Sequence, residues 1–345
     1  MDCSIVIPHR DRLSALSATL ISLARQVTSR RFEVIVVDDG SVEPPDRLFM
    51  SQFSVPNFVF INQERQGISA ARNIGWTRAA GRIVIFLDCD QMTKPDFVEN
   101  SCLPFDKSNE DIVQFGERNF LPDSADLAEE APWLRPTRPD ERFRVFKALS
   151  CNMASIKIGW HLCYGHNIAV RRETLVAAGG FDEDFTGWGL EDCEFAFRLV
   201  SRGCKLVFNP GIAAYHQHHA TLDKQSRFER WSANLRVFEE KHPCAEVKLQ
   251  YILREYFDPK STTKDWVRCI LAMEFAARVQ TGCAQSTKSS YVLTNPSIAQ
   301  IAEAVEVFPD YHILAMVPRR DFLKVVAVQL DPMFQQVGVH VLDDL

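Results

Sequence analysis

The chain has 345 residues, 46% of them hydrophobic and 24% charged, and its 39 Lys and Arg against 45 Asp and Glu give a net charge of −6. That length allows one large domain with a smaller one, or two domains, and the composition is that of an ordinary globular protein. The acidic balance speaks against nucleic acid as the main partner, and no apolar run approaches the roughly 20 residues that span a bilayer.

The N-terminus enters a strand pattern at Ser4 with no signal-peptide layout, so a cytoplasmic protein is expected, free or peripheral to a membrane. Ten cysteines are scattered without a CxxC pair, which predicts reduced, mostly buried thiols. The first hundred residues alternate strand and helix. Strands are expected at 4 to 8, 32 to 41, 58 to 62 and 82 to 90, and helices near 12 to 26, 44 to 53 and 67 to 80. Near-continuous apolar strands in this order predict an open, mostly parallel, Rossmann-like α/β sheet with helices on both faces. Ligands bind such sheets beyond the carboxyl ends of the strands. Those ends carry Pro8, His9 and Arg10; Asp38, Asp39, Gly40 and Ser41; Asn62; and Asp88 and Asp90, so these four clusters are expected to line one crevice.

Residues 104 to 145 hold five prolines from Pro104 to Pro139 among charged residues, which predicts a long excursion over the sheet. Regular structure resumes with YGHNIAVRRETLVAAGGFDE, a strand and then a short helix stopped by Gly179 and Gly180. In TGWGLEDCEFAFRLVSRG, Cys193, Ala196, Phe197 and Val200 form the apolar face of a helix closed by Gly203. The strand KLVFNP and the segment IAAYHQHH follow, then helices near 227 to 242 and 264 to 280. The tail reads as a small α/β unit: strand YVLT, helix PSIAQIAEAVEV starting at Pro296, strand YHILAMV, helix RDFLKVVAVQL and strand VGVHVLD.

The most informative stretch is IVIFLDCD. Period-two alternation puts Asp88 and Asp90 on one face, and two hard oxygen donors at a strand end suit Mg²⁺ or Mn²⁺ that also holds a phosphate. A solvated strand end is the plainer alternative. Cys89 lies between them, where period two turns it away from both, so its side chain is expected in the core.

The ordered set IVIPHRDR, VIVVDDGS, GISAARNIG, FLDCD, GHNIAVRRE, GGFDEDFTGWGLEDCEF and AYHQHH resembles a family 2 glycosyltransferase of the GT-A fold, near the catalytic modules of bacterial chondroitin polymerases and other GWGxED-type enzymes. The resemblance covers about residues 1 to 225. It implies transfer of a hexose or N-acetylhexosamine from a UDP-sugar to a hydroxyl of a saccharide or other acceptor, with inversion and with Mn²⁺ or Mg²⁺ bound. It implies Pro8, His9, Arg10, Asp39, Gly67, Arg72, Asp88, Cys89, Asp90, Trp188 and Gly189 around the nucleotide-sugar, with Asp39 accepting from the uracil imide. His9 and Arg10 depart from the residues usual at those places. Asp90 is implied as metal ligand, Asp88 as ligand to the ribose or a metal-bound water, and one of His216, His218 and His219 completes the site, His216 by its AYHQ context.

Inversion needs a carboxylate on the sugar face opposite the nucleotide. Asp192 is expected to be that base, ionised near neutral pH, with Glu191 binding donor or acceptor hydroxyls. An acidic first helical turn is common in its own right. Rival readings are a retaining transferase, a non-catalytic nucleotide-sugar-binding scaffold, and a sugar nucleotidyltransferase, though the last lacks a Gly-rich loop after the first strand. The expected organisation is a catalytic domain over 1 to 225, nucleotide-binding in 1 to 100 and catalytic or acceptor-binding in 101 to 225. A helical linker at 226 to 285 and a C-terminal α/β unit at 286 to 345 follow, with no motif to give the latter a role.

Overall fold

The computed structural model describes residues 1–122, 138–148, 153, 156–219, 222–285, 290–294, 299–301, 303, 312–318 and 337–342. The chain divides into two compact units, Met1–Ile270 and Leu271–Leu345.

The first unit is built on an eight-stranded sheet. Its strands are β1 (Cys3–His9), β2 (Phe32–Asp39), β3 (Phe58–Gln63), β4 (Ile83–Leu87), β5 (Gln91–Thr93), β6 (Ile112–Phe120), β7 (Asn167–Arg171) and β8 (Lys205–His216). They lie in the order β3-β2-β1-β4-β7-β6-β8-β5. The first four run parallel, β7 runs antiparallel to both β4 and β6, β8 runs parallel to β6, and β5 is antiparallel to β8. Every residue of β1, β2 and β4 is buried, as befits near-continuous apolar strands covered on both faces, and the buried Ser4 hydroxyl donates to Glu33 between β1 and β2.

The helices are α1 (Leu13–Ala24), α2 (Arg47–Ser51), α3 (Ile68–Arg78), α4 (Phe97–Lys107), α5 (Arg142–Ala148), α6 (Arg172–Ala178), α7 (Glu191–Ser201), α8 (Lys224–Lys241), α9 (Ala245–Lys248) and α10 (Thr263–Gln285). Side chains of β1, β2 and β4 pack with Leu16, Leu20 and Leu23 of α1 and with Phe97 and Phe105 of α4 in one core cluster. On α3, Gly75 lies against β1, where an added Cβ would come within 2.2 Å of Val6 Cγ1.

Two expectations change. The excursion over 104 to 145 contains β6, a strand inside the sheet, because IVQF at 112 to 115 is fully buried despite the surrounding prolines and charges. The fourth strand stops at Leu87, so Asp88, Cys89 and Asp90 occupy a turn and period-two alternation does not govern them. Eight described cysteines are free thiols, all buried except the partly buried Cys244.

In the second unit, β9 (Ser290–Thr294), β10 (His312–Pro318) and β11 (Val337–Leu342) form a parallel sheet in the order β11-β10-β9. The three tail strands are those expected. Residues 299–301 and 303 are helical, whereas Pro296 and the expected helix RDFLKVVAVQL lie outside the described residues. Among the described residues, no helix is long and apolar enough to cross a membrane.

Candidate active site

The carboxyl ends of β1, β2 and β4 are tied together by polar side chains. His9 Nδ1 is 2.7 Å from Asp38 Oδ1, while His9 Nε2 accepts the Arg12 N–H at 3.3 Å. Because Nε2 is the acceptor, the ring proton belongs on Nδ1, where it is donated to Asp38. Asp38 also accepts from the Ser41 N–H and hydroxyl. Pro8 is buried in β1, and Arg10 is partly exposed, 3.3 Å from Asp11.

Asp39 is buried at the end of β2. Its Oδ1 accepts from Gln63 Nε2 at 2.7 Å and the Gln66 N–H at 2.7 Å, and the Gly67 N–H reaches Oδ2 at 2.9 Å. Gly67 caps α3 with φ of 105°, a backbone that glycine adopts without strain. Asp39 therefore locks the loop that opens α3.

Two groups of side chains gather farther along the sheet. Asp90 Oδ2 lies 3.1 Å from His219 Nε2, 3.9 Å from His216 Nε2 and 2.6 Å from Arg12 Nη1. Asp90, His216 and His219 offer donor atoms all within 4.8 Å of one another. Pairing of β5 with the end of β8 opposes Gln91 to His216, which is how residues so distant in the chain meet. Burial works against the Asp90 charge, but His219, His216 and Arg12 outweigh it and hold the carboxyl at about 2. Burial pushes the His216 imidazole down to about 4, so it is neutral, with a lone pair to offer, near pH 7.

The second group centres on Arg72, buried on α3. Its Nη2 donates to Asp88 at 3.0 Å and its Nη1 to Glu191 at 3.2 Å, with the guanidinium 4.9 Å from the centre of the Phe181 ring. One planar fork thus bridges the turn after β4 and the start of α7. Gly165 and His166 make a parallel link: the Gly165 N–H donates to Asp192 Oδ2 at 2.7 Å, and the His166 carbonyl accepts the Asp88 N–H at 3.2 Å. A Cβ on Gly165 would come within 2.6 Å of Arg72 Nη2, so the glycine admits the guanidinium.

The loop before α7 is held in left-handed backbone. Gly187, Gly189 and Leu190 have φ of 79°, 95° and 73°, and the Gly189 carbonyl accepts from Asn234 of α8 at 2.7 Å. A leucine in that region is strained by about 1 kcal/mol or more. The turn delivers Glu191 and Asp192 to the first turn of α7, where the helix dipole favours carboxylates. Glu191 is buried against Arg72, whereas Asp192 is only half-buried. Trp188 is 41% exposed, with Arg227 over its ring at 5.8 Å.

Burial pushes the Glu191 carboxyl up to about 7, the Asp192 charge adds to this, and Arg72 opposes it. A carboxyl raised on folding binds more protons in the folded chain than in the unfolded one. Its contribution to stability therefore falls as pH climbs from the ordinary carboxylate range to about 7. Thermal melts are expected to show Glu191→Gln gaining on the parent between about pH 5 and about pH 8, by on the order of 2 to 3 kcal/mol. A constant difference across that range would mean that Glu191 is ionised throughout.

The structure thus draws together Asp88, Arg72, Glu191 and Asp192 in one group, and Asp90, His216 and His219 in another. Cys89, named among the residues around the nucleotide-sugar and expected to turn its side chain to the core, is 7% exposed and belongs to the core cluster. Asp88 stands outside the carboxylate–imidazole group, and His219 stands in its place. Arg12 drew no attention in the sequence, since an arginine before a helix is an ordinary surface residue.

Residues 4–175 match the family described as Glycosyl transferase family 2, and residues 147–221 match the one described as N-terminal domain of galactosyltransferase. The chain carries a family 2 glycosyltransferase domain. It is 28% identical over 301 residues to the chondroitin synthase of Escherichia coli, covering 77% of this chain and 44% of that protein. It is 30% identical over 264 residues to the validoxylamine A glucosyltransferase of Streptomyces hygroscopicus subsp. jinggangensis, covering 70% of this chain and 61% of that one. The chain thus spans less than half of the former relative and about three fifths of the latter. In three dimensions it resembles S. aureus TarS 1-349 in complex with UDP-GlcNAc, with a TM-score of 0.52 at 16% identity over 79% of this chain and 82% of that one. That likeness establishes the GT-A fold.

Proposed function

We propose that this protein is an inverting, divalent-metal-dependent transferase that moves a hexose or N-acetylhexosamine from a UDP-sugar to a hydroxyl of a saccharide acceptor. The observation that carries this reading is the Arg72 bridge. It brings the Asp88 turn, expected at the donor, against the Glu191–Asp192 turn, expected at the reacting sugar.

Pro8, His9, Arg10, Asp39 and Gly67 border the nucleotide. Oδ1 of Asp39 is filled by protein donors, so a uracil imide N–H would be taken by Oδ2. Asp90, His216 and His219 suit a divalent cation: one carboxylate and two imidazoles leave positions for water and phosphate oxygen, and two nitrogen donors favour Mn²⁺ over Mg²⁺. Bound there, the ion supplies Lewis-acid charge at the diphosphate. Arg72 holds Asp88 and Glu191 in place, and Glu191 fixes donor or acceptor hydroxyls. Asp192 takes the proton from the acceptor hydroxyl as that oxygen attacks the anomeric carbon and the bond to the departing UDP breaks on the opposite face. Gly189 and Trp188 wall the sugar, the exposed indole offering a flat apolar face.

A thermal-shift panel of UDP-, GDP- and dTDP-sugars, with and without Mn²⁺, tests the donor assignment. A UDP-sugar with Mn²⁺ is expected to stabilise most, by about 2.7 kcal/mol at a hundredfold excess over Kd. Greater stabilisation by a GDP- or dTDP-sugar would refute UDP as the donor nucleotide.

A further inference from the structure

Arg12 and the two imidazoles converge on one oxygen. Oδ2 of Asp90 faces His219 at 3.1 Å and His216 at 3.9 Å, and the same oxygen holds Arg12 Nη1 at 2.6 Å. The other oxygen, Oδ1, accepts from Gln91 Nε2 at 2.9 Å. The carboxylate edge that would meet a divalent cation is therefore already satisfied by a cation of the chain's own. A guanidinium and a divalent ion on one carboxylate oxygen repel each other, so the ion can settle only as Arg12 withdraws. Arg12 is built to withdraw. Its backbone N–H is held by His9 at the end of β1, but its side chain is 40% exposed and long enough to turn away from Asp90 without moving that anchor.

We propose that Arg12 is a gate on the metal site: it neutralises Asp90 while the divalent ion is absent, is expelled by the ion, and then pairs with the diphosphate of the donor. This rests on Asp90, His216 and His219 being the metal ligands. Expulsion makes binding of the ion alone weaker than the three ligands would allow. A diphosphate gives the displaced guanidinium a new bidentate partner, so ion and nucleotide reinforce each other's binding, and by linkage the reinforcement is equal in both directions.

Calorimetric titrations of the full chain with Mn²⁺ alone, with UDP alone and with UDP in saturating Mn²⁺ test the gate in the parent, Arg12→Ala, Arg12→Gln and Asp90→Ala. Arg12→Gln keeps a hydrogen-bond donor beside Asp90 without its charge. Both Arg12 variants are expected to bind Mn²⁺ alone about 3 to 10 times more tightly than the parent, and UDP in Mn²⁺ about 10 times more weakly. Unchanged or weaker Mn²⁺ binding in both would overturn the gate. Tighter Mn²⁺ binding with unchanged UDP affinity would overturn the transfer of Arg12 to the diphosphate. Asp90→Ala separates the two readings: if it binds Mn²⁺ as the parent does, the metal assignment itself fails. If Asp90→Ala loses the ion while the Arg12 variants match the parent, the metal site stands and only the gate falls.

Discussion

Asp192→Asn is expected to lower kcat by about a thousandfold while leaving UDP binding close to that of the parent. The two acids that open α7 differ in what surrounds them. Glu191 is buried and engaged by Arg72, whereas Asp192 is half-buried, with Oδ2 held by the Gly165 N–H at 2.7 Å and Oδ1 by the Cys193 N–H at 2.8 Å. Those contacts fix the carboxylate plane and leave each oxygen a further lone pair for an acceptor hydroxyl. Asparagine matches the shape and can still accept the Gly165 N–H, but it cannot take up a proton. Stopped-flow or coupled UDP-release assays, with calorimetry of UDP in parallel, separate kcat from donor affinity. Retention of more than about a tenth of the parent kcat would transfer the base to another group, since general-base catalysis contributes about 10² to 10⁴.

Asp90→Ala is expected to abolish Mn²⁺ binding and to reduce turnover by about a thousandfold, the scale of several kcal/mol of charge stabilisation at the leaving group. The more discriminating comparison sets His219→Ala beside Asp88→Asn. His219 is the closer imidazole to Asp90, and Asp88 is 3.0 Å from Arg72, outside the carboxylate–imidazole group. His219→Ala should therefore weaken Mn²⁺ binding by more than about tenfold, the scale of losing one good ligand. Asp88→Asn should leave Mn²⁺ binding in the absence of nucleotide nearly unchanged. The reverse result would restore the pair of aspartates as the metal ligands and reduce His219 to a neighbour.

Much of the first unit was legible in the residues. IVIFL, VIVV and IVIP are apolar without interruption, the pattern of strands covered on both faces, and the strands that hold them are fully buried. The acidic turn after GWGL was equally visible, because glycines followed by carboxylates and an apolar helical face mark a helix start. β6 was hidden: its ERNF end is polar except for Phe120 and its neighbours are rich in proline, so local signals pointed to a loop. Burial of IVQF between β7 and β8 decided otherwise.

By itself, the sequence determined the alternation of strands and helices over its first hundred residues, the acidic residues at their ends and the family that the matching motifs define. These follow from periodicity, turn chemistry and ordered motifs, all short-range properties of the chain. Only the tertiary structure decided which of those residues touch. It ended β4 at Leu87 and turned Asp88 toward Arg72 and Glu191, and it paired β5 with β8 so that His216 and His219 face Asp90. It also laid Arg12 on the same carboxylate. Contacts between side chains from separate elements depend on strand register and on where each strand stops, and pairing across the sheet sets both.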